Sequence, residues 1–193
     1  GRRLNRYIEN LLDMTRLGYG TLKLQRDWAT LADIVAAVLQ RTREVLEGLN
    51  VVRDIPADLP LLYVHPALIE QALVNVIDNA ARFSSPGDEL RIAAREEQGR
   101  LVISVTDQGP GIPEADRLRV FDMFFTGGDG DTGLQGSGLG LAICQGMVGA
   151  HGGSIEALPG PGGRGTTIAI RLPLTELPHD VGNGNTNVRR QQR

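Results

Sequence analysis

A single cysteine, Cys144, stands in the 193 residues, so no internal disulfide can brace the fold, and a reducing compartment suits the chain. There is no excess of basic charge. Lys and Arg number 20 against 23 Asp and Glu, a net charge of −3, which leaves no electrostatic footprint for a nucleic-acid partner. The apolar runs fall far short of the roughly 20 residues a membrane-spanning helix needs, and no secretory leader pattern is present. No repeat and no initiator methionine are seen either. The chain opens inside a helical pattern, so it is expected to be a fragment of a longer protein. Against these absences, 41% hydrophobic residues supply one ordinary core with at most a small appendage.

Residues 2–17 carry Leu4, Ile8, Leu11, Leu12 and Thr15 at helical spacing ahead of Gly18 and Gly20, an amphipathic helix with a glycine stop. A short extended piece with Leu22, Leu24 and Trp28 follows. Thr30 then caps a helix expected to run through Leu31, Ile34, Val35, Val38, Leu39 and Leu46. Strands are expected at 51–55, 61–64, 89–95, 101–106, 154–157 and 166–172, with adjacent pairs forming antiparallel hairpins. Helices are expected over 66 to about 83 and 139–150. The region 107–135 is irregular and glycine-rich, interrupted at 120–125, and the last fifteen or so residues form a disordered tail. The order is not a strict βαβ alternation, which argues against a doubly wound parallel sheet and for a mixed α/β body.

Four stretches carry possible chemistry. In the helix after Pro66, Ile69, Leu73, Val76, Ile77 and Ala80 share one face, while Gln71, Asn75, Asn79 and Arg82 share the other, with Asp78 alongside. Asparagine is a poor helix former, so two of them a turn apart call for a reason beyond solvation. Amide oxygens are hard neutral ligands suited to Mg²⁺, though a plain polar face would look similar. At Asp107-Gln-Gly-Pro-Gly-Ile-Pro113 a strand ends in a carboxylate and breaks into glycines. This is either an Asp-capped turn or a place where Asp107 accepts from an exocyclic amine while Gly109 and Gly111 let backbone approach a flat ligand. Phe121-Asp-Met-Phe-Phe125 is core or the anchor of a lid. Gly136-Ser-Gly-Leu-Gly-Leu141 lacks the Lys-Ser/Thr of a Walker loop and the βαβ context of a dinucleotide site. What remains is a helix start near Leu139 able to face anionic oxygens.

Taken in order, N-x-x-x-N-A at 75–80, D-x-G-P-G-I at 107–112, F-x-x-F at 121–124 and G-S-G-L-G-L at 136–141 resemble the N, G1, F and G2 boxes of sensor histidine kinases. H-G-G at 151–153 and G-T-T-x-x-x-x-L-P at 165–173 also match. The chain is thus similar to the ATP-binding domain of the gyrase B, heat-shock-90, histidine kinase and mismatch-repair superfamily. Leu22 to Trp28 and Thr30-Leu31 resemble the potassium-responsive Kdp sensor kinases most closely.

The resemblance implies a two-layer α/β sandwich of the Bergerat type, a mixed, mostly antiparallel sheet of about five strands covered by three helices. It implies that 1–18 end the second helix of a dimerisation hairpin, 19–30 connect, 31–174 bind ATP and 175–193 form the tail. Asn79 would hold Mg²⁺, with Asn75 assisting at the metal or the phosphates, and Arg82 would reach the phosphate tail. Asp107 would read the adenine amine, with Gly109, Gly111 and Ile112 forming the base pocket. Residues 127–135 would be the lid, and Gly136, Gly138 and Gly140 would contact the phosphates. Phe83, Phe121, Phe124, Ser137, Leu139, Leu141 and Thr166 complete the expected ATP site.

The implied activity is that of a protein-histidine kinase using ATP and Mg²⁺. Its implied partners are its own dimerisation hairpin, in a homodimer, and a KdpE-like response-regulator receiver domain. The domain would be cytoplasmic, with no direct membrane contact, in a parent anchored in the bacterial inner membrane. None of His65, His151 and His179 lies in the H-E-x-x-x-P setting of a phosphoacceptor, so no catalytic residue is assigned within the chain. Thr126 stands where many relatives carry a cation, and Phe83 replaces a usual tyrosine. Two other functions are consistent with the residues. One is a gyrase-type hydrolase, with Glu70 near the position of its catalytic base; the other is a degenerate regulatory nucleotide-binding module.

Overall fold

The structure, a computed structural model, describes residues 24–126 and 138–176. The expected helix over 2–17, the tail, and the lid with Gly136 and Ser137 lie outside the described residues. In chain order the elements are β1 (Asp27–Ala29), α1 (Leu31–Arg41), β2 (Asn50–Asp54), β3 (Leu62–Val64), α2 (Pro66–Arg82), β4 (Glu89–Glu97), β5 (Arg100–Thr106), α3 (Gly140–Ala150), β6 (Ser154–Pro159) and β7 (Thr166–Pro173). Short 3₁₀ turns occur at Glu114–Asp116, Arg119–Phe121 and Pro161–Gly163. The interruption expected at 120–125 overlaps the second of these turns.

Five strands form one sheet in the order β2-β4-β5-β7-β6. The β4–β5, β5–β7 and β7–β6 pairs are antiparallel, and β2 lies parallel to β4. The sheet is therefore mixed and mostly antiparallel, as expected. The hairpin rule fails at one place: the strands near 51–55 and 61–64 do not pair with each other. β3 leaves the sheet and pairs with β1, so that Trp28 lies opposite Tyr63 with ring centroids 5.0 Å apart. Between β2 and β4 the chain runs through α2, a crossover that parallel pairing requires.

Alternation along the central strands builds the core. Ile92, Val105 and Ile168 form one cross-strand row, and Ala94, Ile103 and Ile170 the next; all six are buried. The helices bury their apolar stripes on the same core, with α2 packed between α1 and α3. The β4–β5 link is a two-residue turn, Gln98-Gly99, with both φ positive (52° and 70°), the twist a tight hairpin needs.

Capping explains the helix ends. Thr30 Oγ1 accepts from Asp33 N at 3.1 Å at the start of α1. The expected continuation of that helix to Leu46 does not occur. Thr42, itself buried, turns its hydroxyl back onto Val38 O at 2.9 Å, and the chain leaves the helix through turns that still bury Leu46. Pro66 opens α2 at the position where its missing N–H costs nothing.

Candidate functional site

The polar residues of α2 do not form the plain solvated face that was one of the two readings of their spacing. Asn75 is buried, Asn79 is half-buried and Arg82 is exposed, a gradient from the α2–α3 contact outwards. Packing of α3 causes it: Cys144 Sγ reaches Ala72 O at 3.2 Å, which brings the two helices together beside Asn75. The Asn79 and Arg82 side chains take no hydrogen bond or ion pair among the described residues. Phe83 caps the helix through its backbone and leaves its ring 42% exposed. A neutral amide oxygen, a cation and an aromatic edge thus sit at the open end of α2.

That end meets the turn after β5. Gly109 passes so close to Phe83 that a Cβ there would lie 2.5 Å from the Phe83 carbonyl oxygen. Asp107, only 5% exposed, directs Oδ1 at two backbone donors, Gly109 N at 2.9 Å and Thr166 N at 3.1 Å. Its own N–H is returned to Thr166 O at 2.9 Å. Oδ2 accepts nothing among the described residues. The carboxylate is therefore fixed in orientation and keeps one unused acceptor. Burial raises its pKa above the ordinary 3.8; the Gly109 and Thr166 hydrogen bonds oppose that rise, and the Asp88 carboxylate adds to it. Gly111, at φ +81°, faces the Gly165 backbone, and Gly165, at φ +74°, presses against Asp107; a Cβ on Gly165 would lie 1.9 Å from Asp107 O. Ile112 is half-buried against the core.

The F segment divides. Phe121 is core, Phe125 is half-buried under the Arg119 guanidinium at 4.7 Å, and Phe124 is exposed in a left-handed conformation, φ +66°. Its N–H donates to Gly138 O at 2.9 Å. At Gly138 a Cβ would lie 2.5 Å from the Phe124 carbonyl carbon, whereas one at Gly140 would meet nothing within 4 Å. Gly138 is thus demanded by backbone crossing backbone, and Gly140 by nothing within the described chain. Leu139 and Leu141, both buried, seat the entry of α3, which begins without a side-chain cap.

Two features were not legible beforehand. Gly165, unlike its neighbour Thr166, had no assigned task, yet it sets the seat of Asp107. His151 links α3 to the start of α2, its Nδ1 2.7 Å from Met147 O while Nε2 accepts from His65 N at 3.0 Å, an arrangement that requires the neutral ring with the proton on Nδ1. The described residues contain no group of three or more His, Cys, Asp or Glu able to hold a metal. An ion here would rely on amide oxygens such as that of Asn79, completed by water and phosphate, a donor set that fits Mg²⁺.

Residues 64–176 match the family described as histidine kinase-, DNA gyrase B- and HSP90-like ATPase. The chain belongs to this family. It is 38% identical over 171 residues to the sensor protein KdpD of Clostridium acetobutylicum, covering 88% of this chain and 19% of that protein. Among solved structures, the mycobacterial sensor histidine kinase MprB superposes with a TM-score of 0.66 at 31% identity, over 77% of this chain and 97% of that one. Full-length ShkA in complex with AMPPNP superposes with a TM-score of 0.75 at 25% identity, over 89% of this chain and 36% of that one. The chain spans about a fifth of the KdpD relative. It is a histidine-kinase-type ATPase domain, and the match on residues 64–176 takes in α2, the Asp107 turn and α3. No helix among the described residues is long and apolar enough to cross a membrane.

Proposed function

We propose that this domain binds Mg·ATP and supplies the γ-phosphate to a histidine on a dimerisation hairpin of a sensor kinase, for onward transfer to an aspartate of a KdpE-like response regulator. The observation that carries the reading is Asp107, a buried carboxylate whose Oδ1 is held by two backbone N–H groups while Oδ2 stays unused. An acceptor so fixed suits the exocyclic amine of adenine, with Gly109, Gly111 and Ile112 shaping the space for the base. Phe83 borders the turn at Gly109, and Thr166 holds the carboxylate through its backbone.

Asn79 would contribute an oxygen to Mg²⁺, and Arg82 would meet the phosphate tail. When bound, Mg²⁺ neutralises phosphate charge, and the chain's own task is positioning, which supplies most of the catalysis in phosphoryl transfer. The α3 start at Gly140, where a side chain is absent without need, leaves backbone open to an anion. Residues 1–18 would end the second helix of a dimerisation hairpin, 19–30 would connect it, and 31–174 would be the catalytic domain, in a membrane-anchored, potassium-responsive parent forming a homodimer.

The hydrolase reading places a base at Glu70. Its carboxylate lies 3.8 Å from Arg41 Nη1 on α1, an ion pair that weighs against that task. The deciding experiment joins the chain to a hairpin bearing a histidine acceptor and supplies γ-labelled ATP. An acid-labile, base-stable phosphate on the hairpin is expected; steady hydrolysis without phosphohistidine would establish the hydrolase instead. Failure of the folded chain to bind Mg·ATP would leave a regulatory module.

A further inference from the structure

An asparagine amide has two faces, one accepting and one donating, and its neighbours decide which face a ligand meets. Gln71 and Asn75 lie one turn apart on α2, and Gln71 Nε2 donates to Asn75 Oδ1 at 3.0 Å. The direction of that bond is set on another helix. Arg41, the last residue of α1, donates Nη2 to Gln71 Oε1 at 2.7 Å. A guanidinium has donors alone, so Gln71 must give it the oxygen and keep the nitrogen for Asn75. Asn75 must then turn its oxygen to Gln71 and its N–H₂ elsewhere.

That N–H₂ meets no oxygen or nitrogen acceptor among the described residues. Asn75 is 8% exposed, and its Nδ2 is buried without a hydrogen-bond partner. Cys144 is close by; burial pushes its thiol up to about 12, with the Asn75 amide opposing the rise. The thiol donates its S–H to Ala72 O, and its sulfur offers the Asn75 N–H₂ only weak acceptance. A buried donor left unsatisfied is costly, and such groups need an explanation. One turn along, the Asn79 side chain also takes no hydrogen bond among the described residues.

We propose that Arg41 and Gln71 are positioning residues that fix the amide polarity of Asn75, so that Asn75 donates its N–H₂ to an anionic phosphate oxygen while Asn79 alone offers an oxygen to the cation. This rests on the nucleotide-binding reading given above and assigns the two asparagines different chemistry. It also gives α1, remote in sequence from every motif of the site, a part in nucleotide recognition.

The test uses the whole chain with ADP in EDTA, so that no metal bridges the phosphates. The Asn75 side-chain N–H₂ resonances are followed in ¹⁵N-labelled protein, and affinity is measured by calorimetry. The wild type is expected to bind, with those resonances shifted. Asn75→Asp keeps the oxygen for Gln71 and loses the donor; it should lose about tenfold or more in metal-free ADP affinity. Gln71→Glu offers Arg41 one carboxylate oxygen and Asn75 the other, inverting the Asn75 amide and satisfying its orphaned donor. It should therefore weaken metal-free ADP binding about as much as Asn75→Asp while keeping or raising the melting temperature, a combination no merely structural role of Gln71 produces. Arg41→Lys, which still supplies a donor, should bind ADP better than Arg41→Ala. Unmoved Asn75 resonances in a chain that binds ADP, or wild-type affinity in Gln71→Glu, would overturn the proposal and leave the nucleotide-binding reading standing. Absence of ADP binding by the folded wild type, with and without Mg²⁺, would overturn both.

Discussion

Replacing Asp107 by asparagine exchanges one oxygen for an N–H₂ and removes a buried charge, with almost no change of shape. Oδ1 can still accept from Gly109 N and Thr166 N, so the turn should persist. Those two bonds lose their charge assistance, roughly 1 kcal/mol each, and the removal of an ionised group from a buried place returns a similar amount. The net stability change is expected to stay within about 1 kcal/mol, or about 4 °C in Tm. Ligand binding should respond far more. A carboxylate accepting from the adenine amine contributes ~1.5–3 kcal/mol, and an amide N–H₂ in its place sets donor against donor. With asparagine turned so as to satisfy both backbone donors, the loss is about 3 kcal/mol, on the order of 100-fold in Kd. Calorimetric titration with Mg·ATP and, separately, inorganic triphosphate measures the split. Triphosphate affinity should hold within about twofold, since Asp107 is assigned to the base and not to the phosphates. Equal losses for both ligands would refute the base-reading role. A Tm drop beyond about 10 °C would show that the charge holds the turn. There is a pH counterpart. The folded pKa lies above 3.8, so in wild type the acceptor is lost as pH falls through the folded value, and ATP affinity should fall there while the asparagine variant stays flat.

Three further outcomes follow. Asn79→Ala should abolish the Mg²⁺-dependent part of ATP affinity with little change in Tm, and retained Mg²⁺ dependence would remove Asn79 from the metal. Gly165→Ala sets a Cβ 1.9 Å from Asp107 O at φ +74°, and should cost at least about 3 kcal/mol by urea unfolding; Gly162→Ala, at φ +68° with nothing within 4 Å, should cost about 1–2 kcal/mol, and equal costs would dismiss the crowding argument. His151 is held below its ordinary pKa of 6.5 by burial, with the Met147 carbonyl opposing and Arg26 and His65 adding to the lowering. A base whose folded pKa is depressed leaves stability intact above pH 6.5 and erodes it as pH falls below that value, because the unfolded chain takes up the proton first. Unfolding free energy measured from pH 7.5 down to 5 should show this slope in wild type and lose it in His151→Ala.

What could be seen in advance follows from the range of each interaction. Alternation of Leu101, Ile103 and Val105 marked the strand at 101–106, because a strand packed on one face writes its period into adjacent positions. The partner of each strand was less visible. β3 pairs with β1 and β2 with β4 because α2 crosses between them, and nothing local to residues 51–64 records that. The end of α1 was missed for a similar reason: Thr42 bonding back to Val38 outweighs an apolar spacing that runs on to Leu46. The same boundary runs through the candidate site. Spacing placed Asn75 and Asn79 on one face of α2 but could not show that α3 would bury the first and leave the second half-open. Gly138 and Gly140 looked alike as glycines of one loop, yet the first is fixed by the Phe124 backbone and a Cβ on the second would meet nothing within 4 Å among the described residues. A glycine that the fold requires reveals nothing about a ligand, because any alanine there fails on folding. Gly140 is therefore the informative one of the pair: Gly140→Ala should leave Tm within about 1 °C and still weaken ATP and triphosphate alike, since alanine suits a helix start. A variant that binds both as the wild type does would take the α3 start out of the phosphate site.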